Sequence, residues 1–213
     1  LSLCQDVQGE IFDYPEEFFK ERIHNIRRPK PDDFQIKQAI EKIKKSKKPI
    51  IISGGGVFYS DAMDELGSFA IKHNIPVTQT VMGYSTMKRD HSHFLGPIGG
   101  LGGRAANNLA KETDLAICVG TKLADFTTGS WANFENPEFK LVSINIARHD
   151  ANKHLAEAVI GDAKVCLSEL SNSLGNWKSP DSWHKKSQDE LKSWNEYVDK
   201  DSGPTNQETP NYA

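Results

Sequence analysis

Two turns in this chain carry the residues best suited to hold a phosphate or a ribose. Ser53-Gly-Gly-Gly56 follows the apolar run Pro49-Ile-Ile-Ile52 and precedes a helical pattern. Gly54, Gly55 and Gly56 therefore stand where backbone N–H groups and a helix dipole can meet an anion. A G-x-G-x-x-G fingerprint starting at Gly54 needs a glycine where Tyr59 stands, so a purely structural turn is an equal reading. Gly120 and Thr121 open the second turn, after Leu115-Ala-Ile-Cys-Val119, and Asp125 follows with a carboxylate that could meet a ribose hydroxyl. These six residues form the candidate cofactor-binding set, read as a vestigial nucleotide site.

A third glycine cluster, Gly100-Leu-Gly-Gly-Arg-Ala105, satisfies G-x-G-x-x-A, with Asp125 about 20 residues further on. Pro97 and Gly99 interrupt the strand that should lead into it, which weakens the reading. No Walker sequence and no G-x-S-x-G elbow occurs. His91 and His93 could share one face of an extended segment, but no ligand cluster accompanies them in sequence, so a hydrated loop is expected. Cys4, Cys118 and Cys166 are odd in number and widely spaced, fitting neither disulfides nor zinc; Cys118 reads as core. No catalytic residue and no metal ligand is nominated.

The elements that must position these residues alternate. Pro31 precedes Asp32 and Asp33, either of which can cap a helix whose Ile36, Ile40 and Ile43 share one face, with Lys44–Lys48 at its end. Strands are expected at 49–53, 76–80, 115–119, 141–146 and 158–160, and helices through Met63–Ala70, 104–111 and 163–174. Residues 96–103 read as a glycine-rich bend. Continuous apolar strands alternating with helices predict an α/β, Rossmann-like doubly wound domain: a mainly parallel sheet of about six strands flanked by helices, with N- and C-terminal linker arms. The arms are 1–31, whose first seven residues alternate like a strand end, and 177–213; the domain proper is 32–176. Trp183, Leu191, Trp194 and Val198 mark an amphipathic helix that packs on this domain or a neighbour, leaving Trp183 and Trp194 exposed if that neighbour is missing. A disordered tail is expected over Asp201–Pro210.

The formal charge of −3 gives no footprint for nucleic acid, and the Lys42–Lys48 cluster reads as a solvated helix end. No apolar run approaches the roughly 20 residues of a membrane span, so no membrane partner is expected, and a soluble cytoplasmic protein is the default. The initial Leu1 suggests a chain that starts inside a longer one.

Leu95-Gly-Pro-Ile-Gly-Gly-Leu-Gly-Gly103, Ala106-Asn107, Asp114–Gly120, Asp125, Thr128-Gly129 and Gly161-Asp162 together resemble the central domain of thiamine-diphosphate enzymes, the acetolactate synthase group being the general match. Within that superfamily, Leu3–Glu10, Tyr14-Pro15, Ile23-His-Asn-Ile-Arg-Arg-Pro29 and Gly120–Thr128 resemble the branch that hydrolyses a cyclic dione in inositol breakdown. The resemblance implies a pyrimidine-binding domain before this chain and a pyrophosphate-binding domain after it, with 210–213 at the threshold of the latter. It implies thiamine diphosphate and Mg2+ bound outside this chain, a homo-oligomeric parent, and hydrolytic carbon–carbon cleavage to 5-deoxyglucuronate. This segment, carrying no Gly-Asp-Gly, would be noncatalytic by itself. Relatives that bind FAD here carry R-F-D-D-R where this chain has Lys122-Leu-Ala-Asp-Phe126, and D-x-D where it has Asn145-Ile-Ala147, so FAD is not expected. Two alternatives stay open: a module holding ADP, FAD or NAD at the glycine turns, and the central domain of an acetolactate synthase-like carboligase.

Overall fold

The computed structural model describes residues 2–203. In chain order the helices are α1 (Gln5–Gln8), α2 (Asp33–Lys45), α3 (Gly55–Tyr59), α4 (Met63–His73), α5 (Arg104–Glu112), α6 (Asp125–Thr128), α7 (Arg148–Ala151), α8 (Ala163–Leu174) and α9 (Asp181–Asp201). The strands are β1 (Pro49–Ser53), β2 (Val77–Gln79), β3 (Phe94–Pro97), β4 (Leu115–Val119), β5 (Lys140–Asn145) and β6 (Glu157–Ile160). All pairings are parallel, in the order β3-β2-β1-β4-β5-β6. Chain direction across the sheet reverses between β1 and β4, the crevice where open α/β sheets hold ligands.

Both faces are covered, which is why the strands are apolar throughout. Ile51, Val77, Ile117 and Ile144 face a core closed by α2, α4 and α8, with Phe69 and Leu170 buried in it. Ile50, Ile52, Ala116 and Cys118 face a second core closed by α5 and α9. Asp32 caps α2 through the Phe34 amide, and Asp162 caps α8 through the amides of Lys164 and Val165. Asp162 also accepts from the Arg28 guanidinium at 3.1 Å and from Ser60 Oγ at 2.5 Å, fixing the chain's entry into the domain.

Three expectations are corrected. The bend expected at 96–103 begins only after Pro97, because the strand β3 (Phe94–Pro97) takes Gly96 and Pro97 into its end; Pro97 sits at an edge, where its missing N–H costs no ladder bond. The alternation of the first seven residues does not make a strand over 2–7: Gln5–Gln8 is a helical turn. Trp183 is not exposed. It is 4% accessible, donates from Nε1 to the Pro49 carbonyl at 2.8 Å, and packs with the partly buried Leu191 and Trp194 on the second core. Residues 2–27 contain no buried side chain. Helix α9 continues to Asp201, and residues 204–213, which hold most of the expected tail, lie outside the described residues. Among the described residues no helix is long and apolar enough to cross a membrane.

Candidate functional site

Five of the six nominated residues meet at the crevice between β1 and β4. Their backbone explains why glycine is required there. Gly120 has φ +60°, and a Cβ on it would lie 2.5 Å from the Gly56 Cα; a Cβ on Gly54 would lie 2.5 Å from the Gly120 carbonyl oxygen and 2.6 Å from the Thr121 Cβ. The two turns are pressed into each other. The Gly54 amide donates to the Val119 carbonyl at 2.8 Å, the Gly56 amide to the Gly120 carbonyl at 2.9 Å, and the Gly120 amide to the Ile144 carbonyl at 2.8 Å. Three amides of the two glycine turns are thus used within the protein. Helix α3, five residues long, adds little dipole.

Asp125 begins α6, and its carboxylate accepts from Ser130 Oγ at 2.8 Å. Next to it Phe126 is 66% exposed. The Asn145 side chain reaches across to the Thr121 carbonyl at 3.3 Å, tying β5 to the same turn. The 100–105 cluster is also internally bonded: the Gly100 amide donates to the Phe126 carbonyl, Gly102 to Gly99 and Gly103 to Pro97. Asn107 closes both the amide and the carbonyl of Gly99 with its side chain at 3.0 Å each, which gives the Ala106-Asn107 motif a structural task. Around this closed crevice stands a rim of exposed apolar side chains, Phe58, Tyr59, Met82, Leu101, Phe126 and Ile146, each 53% exposed or more.

The histidines hold an assembly that sequence spacing could not reveal. His184 from α9 stacks on His93 with ring centroids 4.1 Å apart, and His91 lies 5.8 Å from His93. His93 bonds to Asn74 Oδ1 through Nε2 and to Ser92 Oγ through Nδ1, while the Asn74 amide group reaches Asp181. Burial, then the neighbouring His184 and His91, hold the His93 pKa down to about 4. Burial also lowers His184, whose Nδ1 has no hydrogen-bond partner. The assembly ties α9 to the end of α4. No group of His, Cys, Asp or Glu among the described residues could hold a metal. Cys118 and Cys166 are buried; burial pushes the Cys118 thiol up, and burial with Asp162 and Glu169 pushes Cys166 up to about 12, so neither is an available thiolate.

Residues 36–170 match the family described as thiamine pyrophosphate enzyme, central domain. The chain is also similar to proteins named 3D-(3,5/4)-trihydroxycyclohexane-1,2-dione hydrolase. That of Clostridium perfringens (strain 13 / Type A) is 44% identical over 196 residues, 92% of this chain and 31% of the relative. The Clostridium tetani protein is 48% identical over 174 residues, 82% of this chain and 27% of the relative. That of Bacillus thuringiensis (strain Al Hakam) is 45% identical over 174 residues, again 82% of this chain and 27% of the relative. The chain thus spans 27–31% of the length of these relatives.

Proposed function

Because the chain belongs to the central-domain family of thiamine pyrophosphate enzymes, we propose that it is the noncatalytic middle domain of a thiamine-diphosphate-dependent hydrolase that cleaves a carbon–carbon bond of trihydroxycyclohexane-1,2-dione, yielding 5-deoxyglucuronate. The observation that carries this reading is the closed crevice inside an apolar rim. Amides that could hold a phosphate are spent on neighbouring carbonyls, while Phe58, Leu101 and Phe126 present the surface that a flanking domain would cover. The described residues do not fit the Mg2+-diphosphate end of the cofactor, since they gather no metal-ligating group. In this reading the cofactor and Mg2+ sit on the pyrimidine- and pyrophosphate-binding domains of the parent, and no step of the reaction passes through this chain's side chains. The cofactor supplies the carbanion chemistry, and this domain holds the other two in register.

We assign the parts as a linker over 1–31, the domain over 32–176 and a linker helix and tail over 177–213, in a cytoplasmic homo-oligomer. The replacement of the arginine and carboxylates of FAD-binding relatives by Phe126, Asn145 and Ala147 argues against FAD in this proposal.

Two assays of the dione with thiamine diphosphate and Mg2+ test the proposal. The 213-residue chain alone is expected to form no 5-deoxyglucuronate and to show no Mg2+-dependent rise in Tm with the cofactor, whereas the longer polypeptide containing it turns the dione over. Turnover by the chain alone, or a longer polypeptide that condenses keto acids and ignores the dione, overturns it.

A further inference from the structure

A cleft of ≈ 720 Å³ opens beside the carboxyl ends of β2 and β3, between the turn that follows β2 and the flank of α9. Its volume lies within the range of small-molecule sites, and it stands at the strand ends where α/β sheets take ligands, but on the β3 side of the sheet and apart from the closed crevice.

Three observations give its chemistry. Gln79, at the end of β2, lines the cleft at 6% exposure, and its Oε1 has no hydrogen-bond partner. An unbonded buried amide oxygen is costly, and an N–H or O–H that reaches it relieves the cost. Lys88 and Arg89 stand exposed on the lining and have no ion-pair partner among the described residues. The α9 wall is the Trp194 ring, and it is already fixed. Trp194 sits so close to Gly103 that a Cβ there would lie 3.1 Å from its Nε1; it stacks on Tyr197 with centroids 5.6 Å apart, and the Arg104 guanidinium lies 5.5 Å from the Trp194 ring and 4.8 Å from the Tyr197 ring. Trp194 is fixed before any ligand arrives, so a ring that packs against its remaining exposed surface costs it little freedom.

We propose that this cleft binds a compact ring-bearing organic anion, a carboxylate or phosphate monoester with its ring against Trp194, its charge at Lys88 and Arg89, and a hydroxyl or N–H group turned to Gln79. A bare ion would leave the aromatic wall and Gln79 unused. A neutral ring would leave two cations unpaired.

Calorimetric titration of the 213-residue chain with four probes tests the site: 4-hydroxybenzoate, 4-hydroxyphenyl phosphate, inorganic phosphate and 4-hydroxybenzyl alcohol. At least one aromatic anion is expected to bind once per chain, tenfold or more tighter than inorganic phosphate and the alcohol; whichever of the two binds tighter identifies the anionic group. Lys88→Ala with Arg89→Ala weakens that binding about tenfold or more. Gln79→Met weakens it too, yet leaves the Tm of the free chain unchanged or higher, because it removes an unbonded buried oxygen. Silence from both aromatic anions overturns the proposal. So does equal binding of inorganic phosphate, which leaves only a basic patch, or equal binding of the alcohol, which leaves only an apolar hollow. A Gln79→Met chain that melts several degrees lower but binds normally makes Gln79 a structural residue and also overturns it.

Discussion

At the scale of residues, Gly120 combines two constraints that can be separated. Its φ of +60° disfavours any side chain, and its Cα faces Gly56 without room for a methyl group. Gly129 has a similar backbone, φ 58° and ψ 47°, but a Cβ there would meet only the side chain of Asn133, at 3.3 Å. Gly129→Ala should therefore cost about 1–2 kcal/mol for conformation alone. Gly120→Ala should cost about 3 kcal/mol or more, because the two turns must part. Urea unfolding of both variants reads the difference, and equal losses would show that the turns can slide apart freely. The positions of the Gly54–Gly56 and Gly120 turns were legible in the sequence: each follows a continuous apolar run. What their amides do was not, because the partner of Gly56 is a carbonyl 64 residues away, and nothing local to Ser53–Gly56 records which strand will lie beside it.

At the scale of elements, α9 is tied to the body by Trp183 at Pro49 and by the stacked His93 and His184. The groups facing that pair are His91 and Ser92 on the loop before β3, Asn74 at the end of α4 and Asp181 on α9 itself. The folded-state pKa of His93, about 4, lies below the ordinary 6.5, so the unfolded chain takes the proton first. The stabilisation is thus present above pH 6.5 and is lost as the pH falls through that value toward 4. His93→Gln should flatten the fall in stability between pH 6.5 and 4. Hydrogen exchange at about pH 5 should show the first turns of α9 opening before β1 and β4. A fall of unchanged size in the variant would place the acid sensitivity elsewhere. The helix itself was legible from the spacing of Trp183, Leu191 and Trp194, as were β1 and β4 from their unbroken apolar runs. Strand β3 was hidden because Gly96 and Pro97 are poor strand formers that only an edge position tolerates. His184 was invisible as a partner of His93, since the contact spans 91 residues and exists only once α9 folds back.

At the scale of the whole molecule, the chain divides at Arg28. Before it, residues 2–27 bury nothing, and Ile11, Phe12, Phe19 and Ile23 are between 67% and 100% exposed. From Arg28 onward the chain is anchored through Asp162 and Ser60. Brief trypsin treatment should cut after Lys20, Arg22 and Arg27, leaving a resistant body whose Tm is unchanged, as mass spectrometry and calorimetry would read. A cut body that melts markedly lower would show that the arm packs on the domain in solution. Fold class was legible at this scale because alternation of apolar strands with amphipathic helices admits few topologies. The order β3-β2-β1-β4-β5-β6 was not, since no strand's sequence states its neighbours.

The bond from Trp183 to the carbonyl of Pro49 joins residues 134 positions apart. During synthesis, at some 5–20 residues per second, on the order of ten seconds separates the emergence of the first strand from that of the helix that roofs it. Until α9 emerges, Ile50 and Ile52 of β1, joined later by Ala116 and Cys118 of β4, have no α9 over them. The nascent chain must spend that interval either shielded by a chaperone or at risk of sticking to its neighbours on the same message.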